Sequence, residues 1–296
     1  MEEIRQCVER FGITHFDFED DNINLNPEFP ALLQMIREDF NGKISISFMN
    51  GLSSFNIGAR LMDAIKRAGV THIDFSLVTK MPALRNKVRR KDDLKNLLNA
   101  LRLCNKRKTP VTVHFILGLP GQDMDEIYSI LKFLFRRKGY LGASIFYPVY
   151  NSLEFQRLDK TYQREDSFRG WRLSACFYDR EIPRDFLMSA FYFVRIMNFI
   201  TSISSKYNLK YNGLVGFLEK LKEIFDITDM DLDSSSLRKD APLTKERIGV
   251  ILLLRILRHK KVFRVEVIKK GGLYLYRFKE DFVPVEYVER FLRILG

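Results

Sequence analysis

The amino-acid sequence predicts an α/β protein whose first half is built from parallel strand–helix units and whose second half is mainly helical with one β-hairpin. Three observations carry that expectation. Runs rich in β-branched and aromatic residues at 13–18, 44–49, 71–77, 111–117 and 142–147 alternate with helical patterns at 28–40, 55–68, 91–106 and 123–138. Such alternation means βαβ crossovers, arranged either as a (β/α) barrel or as an open doubly wound sheet. After Pro148 the rhythm stops, and a strand pattern returns only in VFRVEVIKK and LYLYRFKED, which flank Gly271 and Gly272 as a hairpin.

The elements follow in order. MEEIRQCVERFG is a helix ending on Gly12, so the chain begins on a crossover helix, as though an entering strand preceded it. In the strands after it, period two sorts the side chains onto two faces. Phe16 and Phe18, Ile44, Ile46 and Phe48, Ile73, Phe75 and Leu77, and Val111, Val113, Phe115 and Leu117 share an apolar face suited to packing under helices. The opposite phase carries His15, Asp17 and Glu19, then Ser45 and Ser47, then His72, Asp74 and Ser76, then Thr112 and His114. The inner face of an ordinary packed barrel is branched and apolar. Burying hydroxyls, imidazoles and carboxylates there costs free energy unless they bond one another, water or a ligand. The pattern therefore points to a wet cavity lined by His15, Asp17, Ser47, Asp74 and His114.

Beyond the repeats, residues 151–180 are polar and aromatic and contain the single tryptophan, Trp171. Helices are expected at 184–206 and 212–225, then an acidic, serine-bearing linker at 226–240, a helix at 244–258, the hairpin, and the closing helix VEYVERFLRIL. Three regions result: a barrel portion at 1–150, a helical extension and linker at 151–240, and a helix–hairpin–helix module at 241–296. The last has a winged-helix outline without a base-reading signature.

Composition bounds the function. The net charge is +12, which admits an anionic partner such as nucleic acid. The basic clusters, however, fall at helix ends (Lys66 and Arg67, Lys106 to Lys108, Arg136 to Lys138, Arg258 to Lys261), where cations complement the helix dipole, so nucleic acid is not favoured. Cys7, Cys104 and Cys176 are too scattered for a disulfide framework or a compact metal site, which suits a reducing cytoplasm. The most apolar runs, at 186–200 and 249–257, are short and interrupted by arginine, and read as core helices rather than membrane spans.

Two motifs carry chemistry. THFDFEDDN ends a strand on Glu19, Asp20 and Asp21, three consecutive carboxylates. HFILGLPGQDMDE ends another strand at Gly118 and opens a helix with Asp123 and Glu126 as a capping box. Glycines in that turn allow close backbone approach to a ligand at the carboxyl ends of the strands.

Taken with ISFMNGL and THIDFSLVTK, and in this order, these motifs resemble the radical S-adenosylmethionine enzymes, most nearly the iron–sulfur oxidoreductase branch, some members of which carry cobalamin. The resemblance covers about residues 1 to 150. It implies a partial (β/α) barrel of the radical SAM type missing its first strand, and an enzyme that uses S-adenosylmethionine and a 4Fe–4S cluster on an unidentified substrate. It also implies roles. Glu19, Asp20 and Asp21 would meet the amino group of S-adenosylmethionine, Ser76 and Thr79 the ribose and carboxylate, and Ile116, Gly118 and Leu119 the adenine, with Asn50 in the same pocket.

Departures from the family pattern are equally plain. Val78 stands where the family has an acidic residue, and Gln122 where a glutamate often follows Gly-Leu-Pro-Gly. No CxxxCxxC cluster motif occurs in the sequence. The resemblance therefore implies a fragment lacking the cluster loop, inactive by itself and with no metal ligands of its own. Two other readings stay open: a barrel hydrolase with His15, Asp17, His72, Asp74 and His114 around a divalent ion, and a non-catalytic nucleic-acid-binding protein or pseudoenzyme.

Overall fold

The computed structural model describes residues 1–87, 94–137, 139–149, 152–157, 182–239, 241–281 and 283–296. Trp171 and Cys176 lie outside the described residues. The chain divides into two compact units, Met1–Tyr178 and Asp179–Gly296.

The first unit opens with α1 (Glu2–Phe11), closed by Gly12 at φ 64 with its N–H on the carbonyl of Val8. Then follow β1 (His15–Asp17), α2 (Phe29–Phe40), β2 (Ser45–Ser47), α3 (Ala59–Arg67), β3 (Ile73–Ser76), α4 (Pro82–Lys87), α5 (Leu94–Lys106), β4 (Val111–Leu117), α6 (Met124–Phe135), β5 (Tyr140–Ile145) and the short α7 (Leu153–Gln156). β1 pairs with β2, and β3 with β4 and β5, all in parallel. Parallel bridges from Ile46 to Val70 and from Leu52 to Phe75 join the two groups. Spatial order thus follows chain order without the reversal of a doubly wound sheet, and the arrangement is a partial (β/α) barrel.

The apolar phase lies where the alternation places it. Ile46, Phe48, Ile73, Phe75, Val113 and Leu117 are buried beneath helices that present Leu33, Ile36, Met62, Ile65, Leu97, Ile127 and Leu131. Each such side chain contributes about 1.5–3 kcal/mol relative to exposure. Gly69, at φ 91, lets the chain pass close under β2, since a Cβ there would stand 2.6 Å from the Ile44 carbonyl oxygen. The basic clusters do sit near helix ends: α3 ends on Lys66 and Arg67, and α5 on Lys106.

Two boundaries and one added element differ from expectation for local reasons. α3 starts at Ala59 rather than 55 because Asn56 is left-handed at φ 61 and the Phe55 N–H is taken by the Ser53 hydroxyl. α4 was not expected; Pro82 occupies its first position, where a missing N–H costs nothing. β5 begins two residues early, at Tyr140, because Gly142 is a ladder residue rather than a breaker.

In the second unit, α8 (Arg184–Lys206), α9 (Leu214–Ile224), α10 (Asp229–Asp233), β6 (Ser236–Lys239), α11 (Lys245–His259), β7 (Phe263–Lys270), β8 (Leu273–Glu280) and α12 (Val285–Leu295) follow in order. Phe186 and Phe193 of α8 stack on Phe291 of α12, with centroids 5.8 and 4.7 Å apart. Among the described residues α8 alone is long and apolar enough to cross a membrane, and 56% of its most apolar window is buried inside the fold. β7 and β8 join through Gly271 and Gly272, both at positive φ, the two-residue turn the glycine pair demands.

Of the segment expected as a linker, 226–240, the described residues 226–239 hold a helix and a strand instead. Thr228 and Asp231 form a capping box for α10, and Leu232 and Leu237 are buried. Its strand β6 pairs antiparallel with β8, giving the sheet order β6-β8-β7.

Candidate functional site

The polar phase of the barrel strands forms two hydrogen-bonded groups. On β1 and β2, the Ser47 hydroxyl donates to Asp17 Oδ1 at 2.7 Å and lies 3.1 Å from His15 Nε2. Ser47 has one proton and spends it on Asp17, so His15 Nε2 carries the hydrogen of that contact. His15 Nδ1 then faces the Ser45 hydroxyl at 2.8 Å, and the Met49 N–H adds a second bond to Asp17 Oδ1 at 3.1 Å.

On β3 and β4, Asp74 Oδ1 stands 2.7 Å from His114 Nε2 and 3.8 Å from His72 Nε2, while His72 Nε2 meets the Thr112 hydroxyl at 2.7 Å. The His114 ring lies over Gly142 of β5, where a Cβ would come within 2.4 Å of Nδ1. Asp74 is half-buried, and 47% of the His114 side chain is exposed. The Asp74 carboxylate and the Gly142 backbone together fix the orientation of this half-exposed ring. The pairing satisfies these polar groups internally while leaving His15 and His114 accessible.

The carboxyl ends of the strands carry the second set. After Phe18, whose N–H is bound by the Ser47 carbonyl, Glu19, Asp20 and Asp21 form an exposed turn. Asn50 donates its side-chain amide to the Glu19 carbonyl, tying that turn to the loop after β2. Asn24, which sequence reasoning passed over, makes a second tie: its amide donates to the Ser53 carbonyl and accepts from the Ser53 N–H, both at 2.9 Å. A buried asparagine that mimics a backbone strand in this way has no signature beyond its type.

At the end of β3, Ser76 is half-buried; beyond it Thr79 is fully buried and donates its hydroxyl to Glu126 Oε1, which also accepts the Lys80 N–H at 3.2 Å. Glu126 therefore leaves the expected capping box half-made: Asp123 accepts the Glu126 N–H at 2.7 Å, and the glutamate side chain turns to the β3 loop instead. Gly118 lies at φ 79. Gln122, noted from the sequence only as a departure, bonds the N–H groups of Gly118 and Leu119. Leu119 is buried with Val78 and Leu84, and Met81, Ile116 and Phe146 pack against them as a half-buried apolar surface.

The chemistry of these groups suits S-adenosylmethionine: exposed carboxylates for an ammonium, and an apolar surface beside a glycine turn for a flat base. The two cysteines among the described residues do not by themselves supply the three thiolates that a 4Fe–4S cluster takes. Cys7 is half-buried on α1, and Cys104 is buried on α5, where desolvation pushes its thiol up to about 12. No three His, Cys, Asp or Glu side chains among the described residues converge to hold a metal ion. The five groups of the hydrolase reading accordingly divide into the two sets above.

The first unit is thus a parallel partial barrel whose strands carry hydrogen-bonded polar side chains on one phase. The family model for the radical SAM superfamily matches residues 1–134. Among solved structures, it is similar to the radical S-adenosylmethionine methyltransferase TsrM from Kitasatospora setae, with cobalamin and a 4Fe–4S cluster bound. That likeness has 15% identity and a TM-score of 0.43, and covers 49% of this chain and 29% of that one. It is also similar to coproporphyrinogen III oxidase, HemN, from Escherichia coli, a radical SAM enzyme, at 17% identity and a TM-score of 0.40, covering 46% of this chain and 32% of that one. The match thus spans about a third of the length of these neighbours. No curated protein matches the chain.

Proposed function

We propose that residues 1–150 form the S-adenosylmethionine-binding portion of a radical SAM enzyme, a reading carried by the family match over residues 1–134. When bound, S-adenosylmethionine supplies a reactive sulfonium. The chain's own residues bind and orient it. Glu19, Asp20 and Asp21 receive the ammonium, with Asn50 holding their turn in place. Ser76 faces the ribose and carboxylate. Thr79 supports this indirectly, because its hydroxyl is engaged by Glu126. Ile116 and Leu119 form the wall for adenine at the Gly118 turn, and His15, Asp17, Ser47, Asp74 and His114 line the adjoining substrate cavity. The sequence holds no CxxxCxxC motif, so the proposal assigns this chain the binding of the cofactor and not, by itself, its cleavage.

The test is calorimetric titration of the purified chain with S-adenosylmethionine. Asp21→Ala removes a charge-assisted contact from an exposed turn, and should weaken binding about tenfold with no change in melting temperature. Unchanged affinity in that variant, or no binding by the folded chain, would overturn the assignment.

A further inference from the structure

The three-stranded sheet of the second unit leaves β7 as an edge. The Asp281 N–H bonds the Val262 carbonyl at 2.9 Å. Because bonded positions alternate along an antiparallel ladder, Arg264, Glu266, Ile268 and Lys270 then bond inward to β8, while Phe263, Val265, Val267 and Lys269 turn N–H and C=O outward. The other side of β8 agrees: the Phe278 N–H goes to the Ser235 carbonyl on the β6 side. Tyr192 covers the first outward position, donating its hydroxyl to the Phe263 carbonyl at 3.3 Å. Among the described residues no hydrogen bond reaches the outward groups of Val265, Val267 or Lys269.

The face beside this edge has a pattern. Directly opposite residues share a face, so Arg264 with Lys279, Glu266 with Arg277, Ile268 with Leu275, and Lys270 with Leu273 form the side away from buried Phe263, Tyr276 and Phe278. Lys279 is held by Glu266 at 2.8 Å. That leaves Arg264, Arg277 and Lys270 around the half-buried pair Ile268 and Leu275. Tyr274 and Tyr276 lie on the other face, so no ring is offered there for a nucleic-acid base to stack on. A line of free backbone donors and acceptors, flanked by cations and an apolar step, matches strand addition by a polypeptide.

We propose that the β7 edge receives an extended acidic segment of a partner polypeptide as a fourth strand. Its carboxylates lie opposite Arg264 and Lys270, and an apolar residue lies opposite Ile268. This surface is independent of the cofactor reading of the first unit.

The experiment is hydrogen exchange on the full chain with a short synthetic peptide, Glu-Thr-Thr-Thr-Val-Thr-Glu, whose alternate residues run glutamate, threonine, valine, glutamate along the face of Arg264, Ile268 and Lys270. The expected result is new protection of the Val265, Val267 and Lys269 amides. The double reversal Arg264→Glu with Lys270→Glu should weaken binding about tenfold or more. Val267→Pro removes an outward N–H while sparing the β8 ladder, and should abolish binding with the circular dichroism unchanged; if that variant misfolds, the charge reversal carries the test. The proposal fails if the peptide does not bind, if it binds without protecting those amides, or if an oligouridylate binds this face and the peptide does not. Failure to bind either probe would mean the edge cations serve only to deter self-pairing.

Discussion

Gln122 holds the turn that ends β4: its side-chain oxygen accepts the Gly118 N–H at 2.7 Å and the Leu119 N–H at 3.2 Å. Gln122 is 1% exposed, so water cannot replace it. Gln122→Leu would leave two buried donors unpaired and should destabilise the first unit by about 2 to 4 kcal/mol. Gln122→Glu keeps both acceptor bonds but sets an ionisable oxygen 3.4 Å from the Ile116 carbonyl at a buried site, and should fall between the parent and Gln122→Leu. Denaturant unfolding, with hydrogen exchange at Gly118 as the local readout, separates the two.

That residue also shows where the sequence was readable and where it was not. Period-two alternation set the phase of the strands, because a one-residue error would have put Ile46 and Phe75 in solvent. It could not show whether His114 meets Asp74 or a ligand, since the alternation assigns a face and not a partner. The partners of Gln122, Asn24 and Glu126 were not legible for one reason: each side chain reaches backbone groups in a loop whose course is set by tertiary packing. The supposed linker at 226–240 was misread because its Asp and Ser residues match a loop composition, while the burial of Leu232 and Leu237 depends on distant partners.

Gly142 should be intolerant of any side chain. A Cβ there would collide with the His114 ring at 2.4 Å from Nδ1, so Gly142→Ala should push the ring off Asp74 and cost about 1 to 3 kcal/mol. The same substitution made in His114→Ala should be nearly neutral. A double-mutant cycle read by thermal unfolding checks the coupling, and additive losses would show that the ring is not what Gly142 accommodates.

Cys104 should resist alkylation in the native protein. Burial pushes its thiol up to about 12, leaving almost no thiolate near neutral pH. Iodoacetamide followed by peptide mass spectrometry should label Cys104 only after denaturation, and rapid native labelling would contradict its packing on α5.

The second unit should lose stability in acid through Asp231. Burial alone pushes this carboxyl up, but the Thr228 N–H at 3.0 Å and the cations Lys239 and Arg247 outweigh it and hold the group below its ordinary 3.8. A carboxylate lowered in the folded state stabilises fully above its unfolded value, and that contribution is lost as pH falls through the folded one. The melting temperature of this unit should therefore fall below about pH 4. In Asp231→Asn it should start lower and depend less on pH over that window; equal slopes would assign the acid sensitivity elsewhere.

The ties made by Asn50 to the Glu19 carbonyl and by Asn24 to Ser53 join the loops after β1 and β2. Two segments separated in sequence by α2 thereby lose their independent freedom when the chain folds, before any ligand arrives. A molecule that meets the acidic turn then forfeits little conformational entropy in ordering it, and more of its contact free energy remains as affinity. The same coupling means that loosening either asparagine would be felt at both loops, as a slower and weaker capture rather than as a missing contact.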